Sequence, residues 1–299
     1  MTKSLCVLLP LIAVLVLAYL AYRGHPTQPA QVQLVAEELD VVYGKGGDQD
    51  LKLDLFTPLN NAGPLPAVVI LHGGGWQQGS KNDLRDTARW LAGEGYVAAT
   101  VGYRFAPQYK FPAQIEDAKC AVRWLRANAN RYHLDGERIG AVGLSSGAHL
   151  ALLLGLTSPA DGLEGSGGHA ECSSQVCVVV NVYGPTDLTQ KNWSEALENV
   201  LKDLLGGDRD KLPQAYRTAS PLHYVHKGAP PILTIHGTND VIVPYQQAES
   251  LEAALRSVGA VSRLETLEGV GHGETWGPED FRRYESATLD FLDMHLKHR

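Results

Sequence analysis

No stripe of lysine and arginine runs through this chain. Its 26 basic and 33 acidic residues leave a formal charge of −7, which argues against a general nucleic-acid surface. Charged residues make up only 20% against 44% hydrophobic, the balance of an ordinary globular protein, neither disordered nor fibrous. No internal repeat is visible. Cysteine is scarce, four in 299 residues, and no cluster of ligand residues accompanies Cys172 and Cys177 to suggest zinc. The glycine run Gly73-Gly74-Gly75 is not followed by Gly-Lys-Ser/Thr, so it is not a phosphate loop. No metal and no cofactor is expected.

What is present begins with residues 5–22, an uncharged apolar run between Lys3 and Arg23. Its length and position predict either a membrane anchor or an export signal within residues 1–24: the anchor would attach the protein through residues 5–22 with the catalytic domain outside the cytoplasm, and the signal would leave it secreted or periplasmic. Pro26 and Pro29 mark residues 25–31 as a linker, and 32–299 are expected to form one catalytic domain. In an exported domain, Cys172 and Cys177, flanking Ser-Ser-Gln-Val, are expected to form a local disulfide. Cys120 reads as a small buried side chain.

Strand-like stretches at Val32–Val42 and Leu51–Phe56 flank a turn marked by Gly44, Gly46 and Gly47. From residue 66 onwards, short apolar strands alternate with helical patterns. Ala67–Leu71, Tyr96–Val101, Arg138–Val142, Cys177–Val182, Ile232–Ile235 and Arg263–Leu267 read as strands. Phe111–Asn130 reads as a helix with an apolar stripe of Ile115, Ala118, Val122 and Leu125, its Glu116, Lys119, Arg123 and Arg126 facing water. Such alternation demands an α/β fold with a mostly parallel sheet covered by helices on both faces. Residues 158–171 read as a surface loop, and 188–223 as a small cap-like insertion.

The chemistry gathers at strand ends. Gly143-Leu144-Ser145-Ser146-Gly147 follows an apolar strand and opens a helix. A serine on so sharp a turn has its hydroxyl thrust out of the sheet, so Ser145 is the expected nucleophile. In His72-Gly73-Gly74-Gly75-Trp76, consecutive glycines let backbone N–H groups turn towards a developing oxyanion. Gly74, Gly75 and Ser146 are the expected donors, with Gly75 and Trp76 serving if the loop turns one residue later. His72 and Trp76 are placed beside the pocket, His72 organising the loop and Trp76 forming a wall or packing beneath it. Asp240, closing His236-Gly237-Thr238-Asn239-Asp240, and His272, between Gly271 and Gly273, complete a nucleophile–acid–histidine order, each member after a different strand. Asp187 is the runner-up acid and reads better as a loop brace. Glu274 lies too near His272 in sequence to orient it.

These motifs resemble the α/β-hydrolase lipase/esterase family that carries an HGGGW oxyanion motif, with its hormone-sensitive-lipase-like and feruloyl-esterase-like branches. The resemblance rests on His72–Trp76, Tyr103-Arg104, Ala106-Pro107, Phe111-Pro112 with Asp117, Gly143–Gly147, Gly184–Asp187, Leu204–Gly207, Ala219–Pro221, His236–Asp240 and Gly271–Gly273. It implies an eight-stranded α/β-hydrolase sheet, a serine carboxylic ester hydrolase without a metal, and structural roles for Arg104 and Asp117. The expected partner is a small-molecule ester with a short acyl group. A sugar- or polysaccharide-linked acetyl or feruloyl ester is the alternative, with a serine peptidase or a non-catalytic binding protein further behind.

Overall fold

The computed structural model describes residues 34–59 and 63–297. The hydrophobic run at 5–22 and the linker at 25–31 lie outside the described residues. Among those described, no helix is long and apolar enough to cross a membrane, so the expected transmembrane helix finds no counterpart there.

Eight strands form one sheet in the order β1-β2-β4-β3-β5-β6-β7-β8. They are β1 (Val35–Gly46), β2 (Gln49–Pro58), β3 (Leu65–Leu71), β4 (Val97–Val101), β5 (Leu134–Leu144), β6 (Val179–Val182), β7 (Ile232–Gly237) and β8 (Ser262–Leu267). The β1–β2 and β2–β4 pairs are antiparallel, and every pair from β4 to β8 is parallel. This is the α/β-hydrolase fold. The seven α-helices among the described residues are α1 (Arg85–Gly93), α2 (Ala113–Ala127), α3 (Ser146–Leu156), α4 (Glu195–Leu205), α5 (Pro213–Thr218), α6 (Gln246–Ser257) and α7 (Pro278–Leu292).

The continuous apolar strands are buried on both faces. Along β3, Ala67, Val69 and Leu71 join the core shared with α2, α3 and α6, while Val68 and Ile70 join the core under α1 and α7. Each such fully buried aliphatic side chain contributes about 1.5–3 kcal/mol, which makes the parallel centre of the sheet the rigid part of the domain.

Two expectations need correction. Lys119 and Arg123 of α2 do not face water: both are buried beneath the loop that follows α3. Lys119 Nζ donates to Glu164 Oε1 at 2.7 Å and Arg123 Nη1 to Glu164 Oε2 at 2.9 Å, so the loop supplies the countercharge. Burial there is tolerable only because these cations are paired and hydrogen-bonded. The expected Cys172–Cys177 disulfide is absent, and both thiols are free. Cys177 is fixed to β5, its N–H on Ile139 O and its Sγ–H on Glu137 O, while Cys172 is held in a separate turn through His169 O.

Candidate active site

The turn from β5 into α3 is a sharp elbow. Ser145 sits at φ 54°, ψ −119°, a conformation that strains any residue with a side chain. Both flanking glycines are required by contact. A methyl group at Gly143 would stand 2.2 Å from Gly147 O, and one at Gly147 would stand 2.1 Å from Leu71 O. The elbow is pinned from three sides. Ser145 N–H bonds Val182 O at 2.9 Å, Ser145 O accepts from His149 N–H at 3.1 Å, and Gly147 packs against the end of β3.

The Ser145 hydroxyl meets His272 at the other side of the sheet edge. His272 Nε2 lies 3.0 Å from Ser145 Oγ, and its Nδ1 lies 2.7 Å from Asp240 Oδ2. The loop carrying His272 is closed on itself: Thr275 N–H bonds His272 O, and the Trp276 indole N–H bonds Gly271 O. The Tyr183 ring packs on the imidazole with centroids 4.3 Å apart. Asp240 is held as firmly, its Oδ1 accepting the N–H groups of Ile242 at 2.9 Å and Val243 at 2.8 Å. Burial raises its carboxyl pKa, but contacts with His236 and His272 outweigh that and hold it well below the usual carboxylate range.

On the other flank lies the glycine loop. Gly73 lies against the elbow, where a methyl would stand 3.3 Å from Ser145 Cβ. Gly74, Gly75 and Trp76 all have positive φ, which rolls the loop over so that Gly74 O accepts from Gln77 and Gln78 N–H. Ser146 is the first residue of α3, where N–H groups have no partner within the helix. The start of the glycine loop and the first turn of α3 thus meet beside Ser145.

The structure seats Trp76 inside the core, 1% exposed, rather than on a pocket wall. Its indole N–H is donated to His149 Nδ1 at 3.3 Å, and its ring meets that imidazole edge-on, so it braces the loop from beneath. His72 is also buried. Its Nδ1–H bonds Gly73 O at 2.7 Å and its ring stacks on Tyr103. Burial holds its imidazole pKa below the ordinary value. Val200 of α4 approaches Gly75, its Cγ1 3.4 Å from where a Gly75 methyl would sit. Sequence periodicity gives no sign of that contact, because it joins segments over a hundred residues apart.

Asp187 stays outside the chain of contacts through Ser145, His272 and Asp240. It accepts from Thr189 N–H and Thr189 Oγ1–H, and so closes its own loop. Arg104 and Asp117 form a bidentate pair behind the glycine loop. Glu274 is half-buried beside His272, and burial raises its carboxyl pKa. His149 carries no sequence signal of a role beside the site, and His236 enters the sequence pattern only as the first residue of the segment ending at Asp240. His149 Nε2–H bonds Ala219 O at 2.6 Å, which ties α3 to the 188–223 insertion. Among the described residues, no group of three or more His, Cys, Asp or Glu side chains converges on a cation position.

A serine on a strand–helix elbow, in line with a histidine and a buried aspartate, defines an α/β-hydrolase with an assembled Ser–His–Asp triad. Residues 53–255 match the BD-FAE family, and the chain belongs to it. It is similar to Esterase LipC of Mycobacterium tuberculosis, at 35% identity over 70% of this chain and 53% of that protein. The chain spans about half the length of the curated relatives it matches first. Among solved structures, it resembles a truncated carbohydrate esterase from gut microbiota, with 27% identity and a TM-score of 0.77 over 91% of this chain and 100% of that one. It also resembles esterase Est2 of Thermogutta terrifontis, with 28% identity and a TM-score of 0.74 over 92% and 97% of the two chains. Est2 has also been solved with propionate and with butyrate bound.

Proposed function

We propose that this protein is a serine carboxylic ester hydrolase whose substrates are short-acyl esters of sugars or polysaccharides. The observation that carries the hydrolase reading is the unbroken contact from Ser145 Oγ through His272 to Asp240, at 3.0 and 2.7 Å. Ser145 Oγ attacks the ester carbonyl carbon while His272 Nε2 takes its proton. The carbonyl oxygen gains negative charge beside the N–H groups of Gly74, Gly75 and Ser146, and losing one such donor typically costs about 3 kcal/mol. The C–O bond to the alcohol then breaks, and His272 returns the proton to the departing oxygen. A water molecule, deprotonated by the same imidazole, attacks the acyl-enzyme. The carboxylic acid leaves and Ser145 regains its hydrogen. Asp240 keeps the imidazole in the Nδ1–H tautomer and stabilises its charged form.

The sugar-linked substrate class is supported by the likeness to a carbohydrate esterase over nearly the whole described domain. A short acyl chain is supported by the propionate and butyrate complexes of Est2, with Val200 of this chain standing beside Gly75. The apolar run at 5–22 supports placing the domain outside the cytoplasm, where such esters would be met.

An ester panel tests this, with acyl length varied independently of the alcohol and with acetylated and feruloylated sugars included. Acetylated sugars should be turned over with the highest kcat/KM, and Ser145→Ala should abolish activity. Preference for long-chain triglycerides would sink the substrate reading. Undiminished turnover by Ser145→Ala would sink the hydrolase reading.

A further inference from the structure

His236 is the penultimate residue of β7, four residues before Asp240, and takes no part in the steps above. It is completely buried, and its Nε2 lies 2.9 Å from Val243 O and 3.2 Å from Asp240 Oδ2. Both neighbours are acceptors, so Nε2 must carry a hydrogen; a bare nitrogen would face two oxygen lone-pair clouds at contact distance. Its hydrogen bond goes to Val243 O with Asp240 Oδ2 beside it, and Nδ1 is left buried with no hydrogen-bond partner among the described residues. An unpaired nitrogen of this kind costs about 1–3 kcal/mol, an expense that packing alone does not explain. The oxygen that His236 approaches is the one that receives His272 Nδ1–H.

We propose that His236 is a positioning residue that holds Asp240 from behind and tempers its pull on the His272 proton. The inference rests on the reading of Asp240 and His272 as acid and base. The N–H beside Oδ2 shares the carboxylate charge. Without it, that charge falls more heavily on His272, the imidazolium is favoured, and the free base is reached only at higher pH. The other groups facing His272 stay in place. Tyr183 packs on its ring from the end of β6, Ser145 meets Nε2 from the elbow, and Glu274 lies on its own loop. His236 itself meets, besides Asp240, the ring of Tyr245 at 5.8 Å, whose hydroxyl is engaged by Thr266.

The test is the pH profile of kcat/KM for p-nitrophenyl acetate in wild type, His236→Phe and His236→Gln. Phe keeps the ring volume and removes the N–H; Gln keeps an N–H at similar reach. The acid limb of His236→Phe should move up by about half to one pH unit, with Gln returning it towards wild type. An acid limb that stays put or moves down in the Phe variant overturns the proposal, as does a Gln variant that behaves like Phe. A loosened fold alone would lower kcat without raising the limb.

Nitrogen-15 NMR of the imidazoles in the wild-type protein needs no variant. His236 should show the Nε2–H tautomer with a bare Nδ1; an Nδ1–H tautomer refutes the assignment even if both variants fail to fold. If the wild type hydrolyses no ester, the functional reading fails, while the tautomer measurement still judges His236.

Discussion

Replacing Asp240 by Asn keeps size and shape and changes one hydrogen-bonding face, so its outcome can be worked out from the surroundings. Oδ1 of Asp240 accepts two backbone N–H groups, from Ile242 and Val243. The Asn carbonyl must take that position, which turns the NH2 group towards His272 Nδ1, now at 2.7 Å, and towards His236 Nε2–H, at 3.2 Å. Two donors cannot share a hydrogen bond, so His272 is driven to the tautomer with Nδ1 bare and Nε2 protonated. That nitrogen then presents a hydrogen to Ser145 instead of a lone pair. In other Ser–His–Asp enzymes the same substitution lowers kcat about 10⁴-fold, equivalent to about 5 kcal/mol of barrier. The assay is steady-state turnover of p-nitrophenyl acetate at pH 7.5, with thermal unfolding to confirm the fold. KM should change little. Asp187→Asn, altering the runner-up carboxylate, should stay within tenfold of wild type. A loss of less than tenfold in Asp240→Asn, or an equal loss in Asp187→Asn, would refute the assignment of the acid.

Gly147→Ala should destabilise the domain by more than about 3 kcal/mol in urea unfolding, beyond ordinary overpacking, because the new methyl meets the Leu71 carbonyl oxygen rather than a yielding side chain. An unchanged midpoint would contradict the packing at the elbow. Cys172→Ala and Cys177→Ala should each leave the melting temperature within a degree or so under oxidising conditions, since no disulfide joins them; a drop of several degrees, erased by reductant, would restore the bridge. His149 gives a pH prediction. Burial lowers its pKa to about 4, partly opposed by its bond to Ala219 O, whereas in the unfolded chain it titrates near about 6.5. The unfolded chain therefore binds the extra proton first as pH falls. Stability present above about pH 6.5 is lost on the way to about pH 4, by at most about 3 kcal/mol. Between pH 7 and 4.5, His149→Phe should lose less unfolding free energy than wild type, and equal losses would remove His149 from the account.

The sheet was legible because its centre is buried on both faces: runs such as Ala67–Leu71 carry the strand signal without need of alternation. The three triad segments were legible because glycines surround them for steric reasons that show in the sequence, as Gly143 and Gly147 do. What escaped depended on contacts between distant segments. Lys119 and Arg123 look like a wet helix face until Glu164 arrives from the next loop to neutralise them. The spacing of Cys172 and Cys177 suggested a bridge, but the strand start commits Cys177 to β5. Trp76 resembled a pocket wall until His149, 73 residues away, accepted its indole hydrogen. His236 showed only as the start of the segment ending at Asp240, because a histidine near a strand end acquires a role only once the carboxylate four residues on curls back towards it.

Ser145 and His272 are 127 residues apart and come within hydrogen-bond reach only at the rim of a sheet in which β5, β6, β7 and β8 lie side by side. Every one of those parallel seams must zip before hydroxyl and imidazole can touch. Regained turnover after refolding would thus time the closing of the last seam, and a chain halted one strand short would hold a finished elbow with nothing to deprotonate it.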